Sequence, residues 1–237
     1  DGTNYKGYQK QPGKTTIQNT LEDILFKING EQEASICATG RTDAGVHALN
    51  QKAHFDLNKD LEEEKLRDSL NKMLPEDIYV KKVEKVPDTF HARFDVKAKE
   101  YIYKINLGEY NPIERNYVYQ YNKRLDINEM ERALKYLEGE HNFKSFTKNN
   151  DEIEDYVRTI IQTSITRDLK NINEITISIM GTGFLRYMVR NIVGLLIEIG
   201  EGKRKSEDVF EILACENREA AGITAPPNGL YLKDVFY

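Results

Sequence analysis

The feature that most constrains the fold is the way the spacing of apolar residues changes along the chain. Stretches with an apolar residue at every third or fourth position predict helices, and stretches in which apolar and polar residues alternate predict strands. Helices are predicted at residues 17–28, 61–73, 127–137, 184–199 and 206–214, and strands at 33–40, 51–56, 78–86, 98–107, 157–166, 174–180 and 230–237. Helices that alternate with pairs of strands favour an α+β fold.

Residues 40–56, with the sequence GRTDAGVHALNQKAHFD, indicate a loop between two predicted strands. Asp43 follows Arg41 by two positions and is flanked by Gly40 and Gly45. Glycines allow a sharp turn and the close approach of a bulky ligand. Loops held by a rigid scaffold often carry catalytic residues, which makes Asp43 a candidate. The alternative for the RTD triplet alone is a simple turn capped by its own aspartate.

The net charge of the chain argues weakly against nucleic-acid binding, whereas the distribution of charge leaves it open. Lysine and arginine number 34 and aspartate and glutamate 39, so the formal charge is −5. Acidic residues concentrate at 59–68 and 149–155, which we interpret as solvated surface. Basic residues concentrate elsewhere, at Lys81, Lys82, Lys85, Arg93, Lys97, Lys99, Lys104, Arg186, Arg190, Lys203, Arg204 and Lys205. Such a chain can bind RNA through one basic face.

Cysteine and histidine usage predicts neither a disulfide framework nor a metal site. Cys37 and Cys215 are too few and too distant in sequence for such a framework, which favours a reducing, cytoplasmic compartment. The histidines lack metal-ligand spacing with cysteines or carboxylates; they are His47, His54, His91 and His141. No phosphate-binding or dinucleotide motif occurs, and no apolar run is long enough to cross a bilayer, so we expect no cofactor and no membrane partner.

The nine residues GRTDAGVHA resemble the catalytic loop of the TruA family of tRNA pseudouridine synthases. Other segments resemble that family in the same order: DGTNYKGYQKQPGKTTIQNTLEDIL, LPEDIYV, VPDTFHARFDVKAKEYIYKI, MGTGFLRYMVRNIVGLLIEIGEGK and AGITAPPNGLYLKDVFY. The chain departs from the family at Tyr8, where a tryptophan is usual. It also begins at Asp1 without a methionine, and we expect a short strand to precede that residue.

The resemblance implies the pseudouridine synthase fold. In this fold two related α+β domains join their antiparallel sheets, and the catalytic cleft lies between them. The 237 residues suffice for two small domains. We expect an N-terminal domain at 1–106 that carries the Asp43 loop, and a C-terminal domain at 107–237 that carries the helix with the MVRN sequence.

The resemblance also implies the chemistry, in which Asp43 is the essential catalytic carboxylate. Three roles stay open for it: attack on the anomeric carbon, attack on the base, or removal of a proton from carbon 2′ of the ribose. A carboxylate in a partly dry cleft stays ionised only beside a cation, and Arg190 is the expected partner. The alternative is that Arg190 lies on the exposed side of its helix.

Four further residues are candidate RNA contacts. Tyr101 is expected to stack on the extruded uracil, although it also alternates like a core residue of a strand. Arg41 is expected to contact the phosphate of the flipped nucleotide or to anchor the loop. His91 and Arg93 resemble residues that grip RNA in the family. Ordinary surface ion pairs are the alternative for Arg41, His91 and Arg93.

The implied activity is the isomerisation of uridine to pseudouridine at positions 38 to 40 of the anticodon arm of tRNA. The reaction gains and loses no atoms and needs no cofactor. The family acts as a homodimer that grips one tRNA. Two alternatives stay open: a paralogue directed at ribosomal RNA, and a non-catalytic RNA-binding module.

Overall fold

The computed structural model describes residues 1–148 and 154–237 and contains two compact units. The first unit comprises residues 1–96 together with Tyr237, and the second comprises residues 97–236. Most of the acidic run at 149–155 lies outside the described residues. The domain boundary expected at 106/107 stays a prediction; the compact units divide before the long strand that ends at Asn106 rather than after it.

Two helices build the core of the first unit. Helix α1 spans Ile17–Ile28, and Thr16 caps it by accepting a hydrogen bond from the N–H of Asn19. Three short strands follow, β1 (Cys37–Ala38), β2 (His47–Ala48) and β3 (Ala53–His54), and then helix α2 (Glu63–Met73). The apolar faces of the two helices pack together in one cluster, whose buried members are Ile24, Leu25, Ala34, Ile36, Leu66 and Leu70.

Strands β1 and β3 form the base of the Gly-rich loop. They pair antiparallel, with Cys37 opposite His54 and Ala38 opposite Ala53. The side chain of Gln51 closes the loop further by donating a hydrogen bond to the carbonyl of Gly40 at 2.8 Å. The predicted position of the loop between two strands is confirmed, although both strands are much shorter than the sequence pattern indicated.

The strand predicted at 78–86 is wrong, since these residues are all described and form no strand. The amide side chain of Asn71 takes the place of a strand partner. It donates to the carbonyl of Val80 at 2.9 Å and accepts from the N–H of Val80 at 2.8 Å. Val80, one of the apolar residues that alternate here, therefore packs against the helical core although the segment does not pair as a β-strand.

The second unit is built on an antiparallel sheet. Its strands are β4 (Ala98–Asn106), β5 (Tyr119–Gln120), β6 (Gly139–Asn142), β7 (Val157–Arg167), β8 (Glu174–Gly181) and β9 (Leu230–Phe236). Within the unit the strand order is β9-β4-β8-β7-β6, and β5 lies parallel beside β4. The register places Tyr101 opposite Ile179 and Tyr103 opposite Ile177, so these side chains share one face of the sheet.

Three helices complete the second unit: α3 (Ile127–Lys135), α4 (Met188–Gly200) and α5 (Asp208–Ala214). Helix α4 begins four residues after the predicted start at Phe184. The cause is Tyr187, which has φ +64° and ψ 0°, a left-handed conformation that cannot continue a right-handed helix. Almost every residue of α4 is buried, as expected for a helix that is apolar around most of its circumference.

The α+β class predicted from the sequence is confirmed by these helices and antiparallel sheets. Each unit contains helices that pack beside paired strands, the arrangement expected of a layered architecture. Over residues 1–148 and 154–237, none of the helices has the length and apolar composition needed to cross a bilayer.

Candidate active site

Asp43 begins a tight turn in the first unit and is half-buried. The N–H of Val46 donates to the carbonyl of Asp43 at 3.1 Å and closes the turn. Gly45, the third residue of this turn, has φ +75°, a value that glycine adopts without steric cost. The carboxylate therefore projects from a fixed backbone rather than from a mobile loop.

The segment around Gly7 supports the Asp43 turn from behind. The N–H of Tyr8 donates to the carbonyl of Thr42 at 3.0 Å, and the N–H of Gly45 donates to the carbonyl of Tyr5 at 3.3 Å. A Cβ atom at Gly7 would lie 2.8 Å from the carbonyl oxygen of Thr42, closer than real Cβ contacts. Only glycine lets the two segments approach this closely, so Gly7 fixes the position of the turn.

The buried hydroxyl of Tyr8 has no hydrogen-bond partner among the described residues. The side chain is 5% exposed, and burial raises the pKa of the phenol, with a further contribution from the charge of Glu22. The ring thus lies in the interior of the first unit. Its hydroxyl adds a desolvated polar group with no compensating contact.

His91 and Arg93 lie together in one turn of the first unit. The N–H groups of Arg93 and Phe94 both donate to Nδ1 of His91 at 3.2 Å, and Asp95 accepts from the N–H of His91 at 2.7 Å. Arg93 and Arg41 are both exposed, which leaves each guanidinium accessible to a phosphate.

The structure gathers Cys37, His54 and His91 into a cluster that sequence spacing did not reveal. Cys37 Sγ and one nitrogen of each imidazole lie within 4.8 Å of one another, a grouping that is able to surround a metal ion. The surroundings do not fit a metal. A histidine that binds a metal donates its other ring N–H to an acceptor. Here backbone N–H groups donate to Nδ1 of both rings, from Ala92 to His54 and from Arg93 to His91.

These backbone donors fix the tautomer of both imidazoles. Because Nδ1 accepts, Nε2 carries the proton in the neutral ring and is a donor. Nε2 of His91 lies 3.8 Å from Cys37 Sγ and donates toward it. The cluster thus contains a thiol hydrogen-bonded to the imidazole of His91, with the imidazole of His54 packed edge-on against that ring.

Tyr101 lies in the second unit, on the sheet face that it shares with the fully buried Tyr103 and Ile105. Its ring is 8% exposed and meets the ring of Phe184 edge-to-face, with the centroids 5.0 Å apart. Tyr101 therefore packs as a core residue of its strand, which is the alternative that the sequence left open. The contact with Phe184 also fixes the ring orientation, as a stacking platform requires.

Arg190 lies in the first turn of α4 and is half-buried. A cation at this end of a helix faces the positive pole of the helix dipole, which costs about 0.3–1 kcal/mol. Two contacts with Ala225 offset that cost. Nε of Arg190 donates to the carbonyl of Ala225 at 2.7 Å, and the N–H of Ala225 donates to the carbonyl of Arg190 at 3.0 Å.

Tyr187 covers one side of the Arg190 guanidinium. The guanidinium carbon lies 5.3 Å from the centre of the Tyr187 ring, within the range of a cation–π contact. Arg186 approaches the same ring at 4.9 Å. Ala225 and Tyr187 together fix the direction in which Arg190 presents its terminal nitrogens.

Asn191 is a buried positioning residue that periodicity could not identify. Its amide donates to the carbonyl of Phe146 at 2.6 Å, and its oxygen accepts from Arg218 at 2.9 Å and from Thr224 at 2.6 Å. Burial lowers the pKa of Arg218, partly opposed by the negative charge of Glu198. A polar asparagine directly after Arg190 in an apolar helix was the only sequence signal.

Gly194 allows the segment that contains Ala225 to lie against α4. A Cβ atom there would lie 1.8 Å from the carbonyl oxygen of Ile223, which no side chain can occupy. Gly194 follows Arg190 by one helical turn, so both residues lie on one side of the helix. The close approach at Gly194 brings Ala225 within hydrogen-bonding distance of Arg190.

Comparison with known proteins places these segments in one family. A family model described as tRNA pseudouridine synthase matches residues 1–95 and 133–237. A protein of Anoxybacillus flavithermus named tRNA pseudouridine synthase A is 44% identical over 237 residues, covering 100% of this chain and 95% of the relative. A protein of the same name from Bacillus pumilus is 45% identical over 240 residues, covering 100% and 96%.

A protein of Clostridium tetani, named tRNA pseudouridine synthase A 2, is 45% identical over 240 residues, covering 100% of this chain and 95% of the relative. The matched residues include the Asp43 turn, the His91 turn and the helix of Arg190. The resemblance to TruA is confirmed, and the chain belongs to the tRNA pseudouridine synthase family.

Proposed function

We propose that the protein converts uridine to pseudouridine in the anticodon arm of tRNA, at positions 38 to 40. The observation that carries the proposal is the half-buried Asp43 carboxylate on a turn fixed by Gly7 and Gly45. Membership of the family and the names of the relatives support tRNA as the substrate. We also propose that the protein acts as a homodimer and is located in the cytoplasm.

Asp43 acts as the catalytic carboxylate. The reaction breaks the bond between the ribose and uracil nitrogen 1, rotates the base, and forms a bond to carbon 5. The proton on carbon 5 then leaves and nitrogen 1 takes up a proton, so the atoms balance without a cofactor. Any of the three roles open to Asp43 requires its charged form, and a fixed turn keeps the carboxylate beside the sugar without reorganisation.

Arg190 keeps Asp43 ionised by pairing with it when the site is assembled. The contacts of Arg190 with Ala225 use the Nε edge and the main chain, and the forked terminal nitrogens match a carboxylate. Tyr101 supplies the platform for the extruded base, because its ring is fixed by Phe184. Arg41 and Arg93 bind the RNA backbone, and His91 helps by holding the turn that presents Arg93.

The direct test maps pseudouridine chemically after the protein has been incubated with unmodified tRNA and with a fragment of ribosomal RNA. Product at positions 38 to 40 of the anticodon arm is the expected result. Product only in the ribosomal fragment would identify the ribosomal-RNA-directed paralogue. Binding without product would identify the non-catalytic module.

Asp43→Asn tests the catalytic assignment. We expect turnover to fall about 10³-fold or more, since an essential catalytic group is lost, while tRNA affinity stays close to that of the unmodified protein. Asp56→Asn is the matched control, because Asp56 is an exposed aspartate of the same sequence segment and loses the same charge. Equal losses of turnover and affinity in Asp43→Asn would contradict the assignment.

A further inference from the structure

Phe94 is an exposed aromatic side chain in the turn that carries His91 and Arg93. Its side chain is 75% exposed, although exposure of a large apolar ring to water is unfavourable. Its neighbours in sequence, Arg93 and Asp95, are exposed and charged. The residues on either side of this ring in sequence are therefore charged rather than apolar, unlike the contiguous apolar patches that mark protein interfaces.

Behind Phe94 the imidazole rings of His91 and His54 lie one after the other, and we call this row of rings the ladder. The imidazole of His91 stacks on the Phe94 ring, with centroids 4.2 Å apart and planes inclined by 27°. The imidazole of His54 contacts His91 edge-on at 4.7 Å, and Cys37 Sγ lies 3.8 Å from Nε2 of His91. The cluster that does not fit a metal thus provides a rigid base for an exposed ring.

The backbone of this turn keeps Phe94 in place. Its N–H donates to the carbonyl and to Nδ1 of His91, both at 3.2 Å. The N–H of Asp95 donates to the same carbonyl at 3.1 Å, and the Asp95 carboxylate accepts from the N–H of His91 at 2.7 Å. A ring fixed before its ligand arrives loses little conformational freedom on binding.

Arg93 adds a cation within cation–π distance of the ring, with its guanidinium carbon 5.8 Å from the Phe94 centroid. An aromatic face next to an exposed guanidinium is the combination by which proteins bind single-stranded nucleic acid. The ring stacks on a base and the cation contacts the adjoining phosphate. Stacking of this kind tolerates any base, because each base has a π face.

We propose that the outer face of Phe94 stacks on an unpaired nucleobase of the RNA substrate, while Arg93 contacts the phosphate beside that base. The ladder of His91 and His54 backs the ring. This site is separate from the reacting uridine and depends on the proposed function only in that the ligand is RNA. It fits an exposed base of a loop, since a base inside a helix is already stacked.

The absence of tryptophan from the sequence gives a direct test. Phe94→Trp creates the single tryptophan of the protein, and its emission is quenched when a nucleobase stacks on the indole. Tyr79→Trp is the matched control, since Tyr79 is 73% exposed in the same unit. On titration with unmodified tRNA, we expect quenching at position 94 and little change at position 79.

The dissociation constant for tRNA gives the second measurement. We expect Phe94→Leu to raise it about tenfold, the lower part of the range known for loss of one stacked base, while Phe94→Tyr stays within about twofold. Equal binding by Phe94→Leu and Phe94→Tyr, or equal emission changes at positions 94 and 79, would overturn the proposal. So would an effect of Phe94→Leu on the oligomeric state but not on RNA affinity.

The stacking site and the proposed function fail separately. Product in the anticodon arm without quenching at position 94 overturns the stacking site and leaves the activity standing. Quenching at position 94 without product in the anticodon arm overturns the activity and supports the stacking site.

Discussion

The two charged groups proposed to act together, Asp43 and Arg190, are held in place by different means. The Asp43 turn is fixed by main-chain hydrogen bonds and by the absence of side chains at Gly7 and Gly45. Arg190 is fixed mainly by its surroundings: a carbonyl at its Nε, an aromatic ring on one side, and the buried Asn191 next to it. The carboxylate depends on backbone geometry, and the guanidinium depends on packing.

This difference predicts different sensitivities. A turn fixed by the main chain tolerates changes in the side chains beside it and fails when a Cβ atom is added at a glycine. A side chain fixed by packing fails when the packing partner moves. Three substitutions, at Gly194, Gly7 and Tyr8, test this contrast. Gly200→Ala and Gly13→Ala are the controls for the first two.

Gly194→Ala should have the largest effect. The added Cβ would overlap the carbonyl of Ile223, which is backbone and cannot turn away, so the segment that carries Ala225 must shift. We expect the free energy of unfolding to fall by about 3 kcal/mol, and turnover to fall about 10²-fold because Arg190 loses its anchor. Chemical denaturation and single-turnover kinetics measure the two quantities.

Gly200→Ala is the control on the same helix. A Cβ atom there would lie 2.8 Å from Sδ of Met130, a contact that rotation of the thioether relieves, and 3.0 Å from Cβ of Leu125, which must give way slightly. We expect a loss of no more than about 1 kcal/mol, because alanine also favours the helix. If the two variants lost the same stability and turnover, the close approach at Gly194 would not explain the position of Arg190.

Gly7→Ala should have an intermediate effect that appears mainly in catalysis. The residue has φ +95° and faces the carbonyl of Thr42, so alanine both strains its own backbone and displaces the Asp43 turn. We expect turnover to fall about tenfold or more, since small displacements of a catalytic group are costly, with a modest fall in melting temperature.

Gly13→Ala separates the two causes in Gly7→Ala. Gly13 also has a left-handed φ, +66°, but no atom lies within 4 Å of the added Cβ. It therefore shares the backbone strain without the displacement. Loss of turnover in Gly13→Ala equal to that in Gly7→Ala would show that strain alone, not support of the Asp43 turn, is responsible.

Tyr8→Phe should have the smallest effect. The backbone N–H of Tyr8 supports Thr42 and is unchanged, while the buried hydroxyl has no partner among the described residues. We expect unchanged turnover and a stability that is equal or higher by up to about 1 kcal/mol, measured by thermal melting. A clear loss of turnover would show that this side chain, and not only its backbone, positions the Asp43 turn.

Much of the fold followed from local patterns in the sequence. Periodicity located α1, α2 and α3 and the long strands β4, β7, β8 and β9, because each buries one face against a partner. It failed at 78–86, where the pairing partner is the side chain of Asn71, and at the start of α4, where Tyr187 is left-handed. These two failures come from single residues whose effect no average over a window contains. Periodicity also overestimated the strands at 33–40 and 51–56, and it did not predict β2, β5 or β6.

The candidate site also contains some residues that the sequence could identify and others that it could not. Asp43 and Arg190 could be selected from the sequence, because a glycine-flanked carboxylate and a cation in an apolar helix are unusual locally. The cluster of Cys37, His54 and His91 could not, since only the fold brings these distant residues together. The same holds for the contact of Ala225 with Arg190.

Tyr237 lies in the first compact unit although it is separated from residues 1–96 by the whole of the second. Its hydroxyl donates to the carbonyl of Ala92 at 2.8 Å and lies 2.9 Å from the hydroxyl of Thr39, and its ring packs on Phe90. During synthesis, chains generally fold from the N-terminal end as they leave the ribosome. In this protein the first unit therefore acquires its full set of contacts only after the second unit and Tyr237 have been translated.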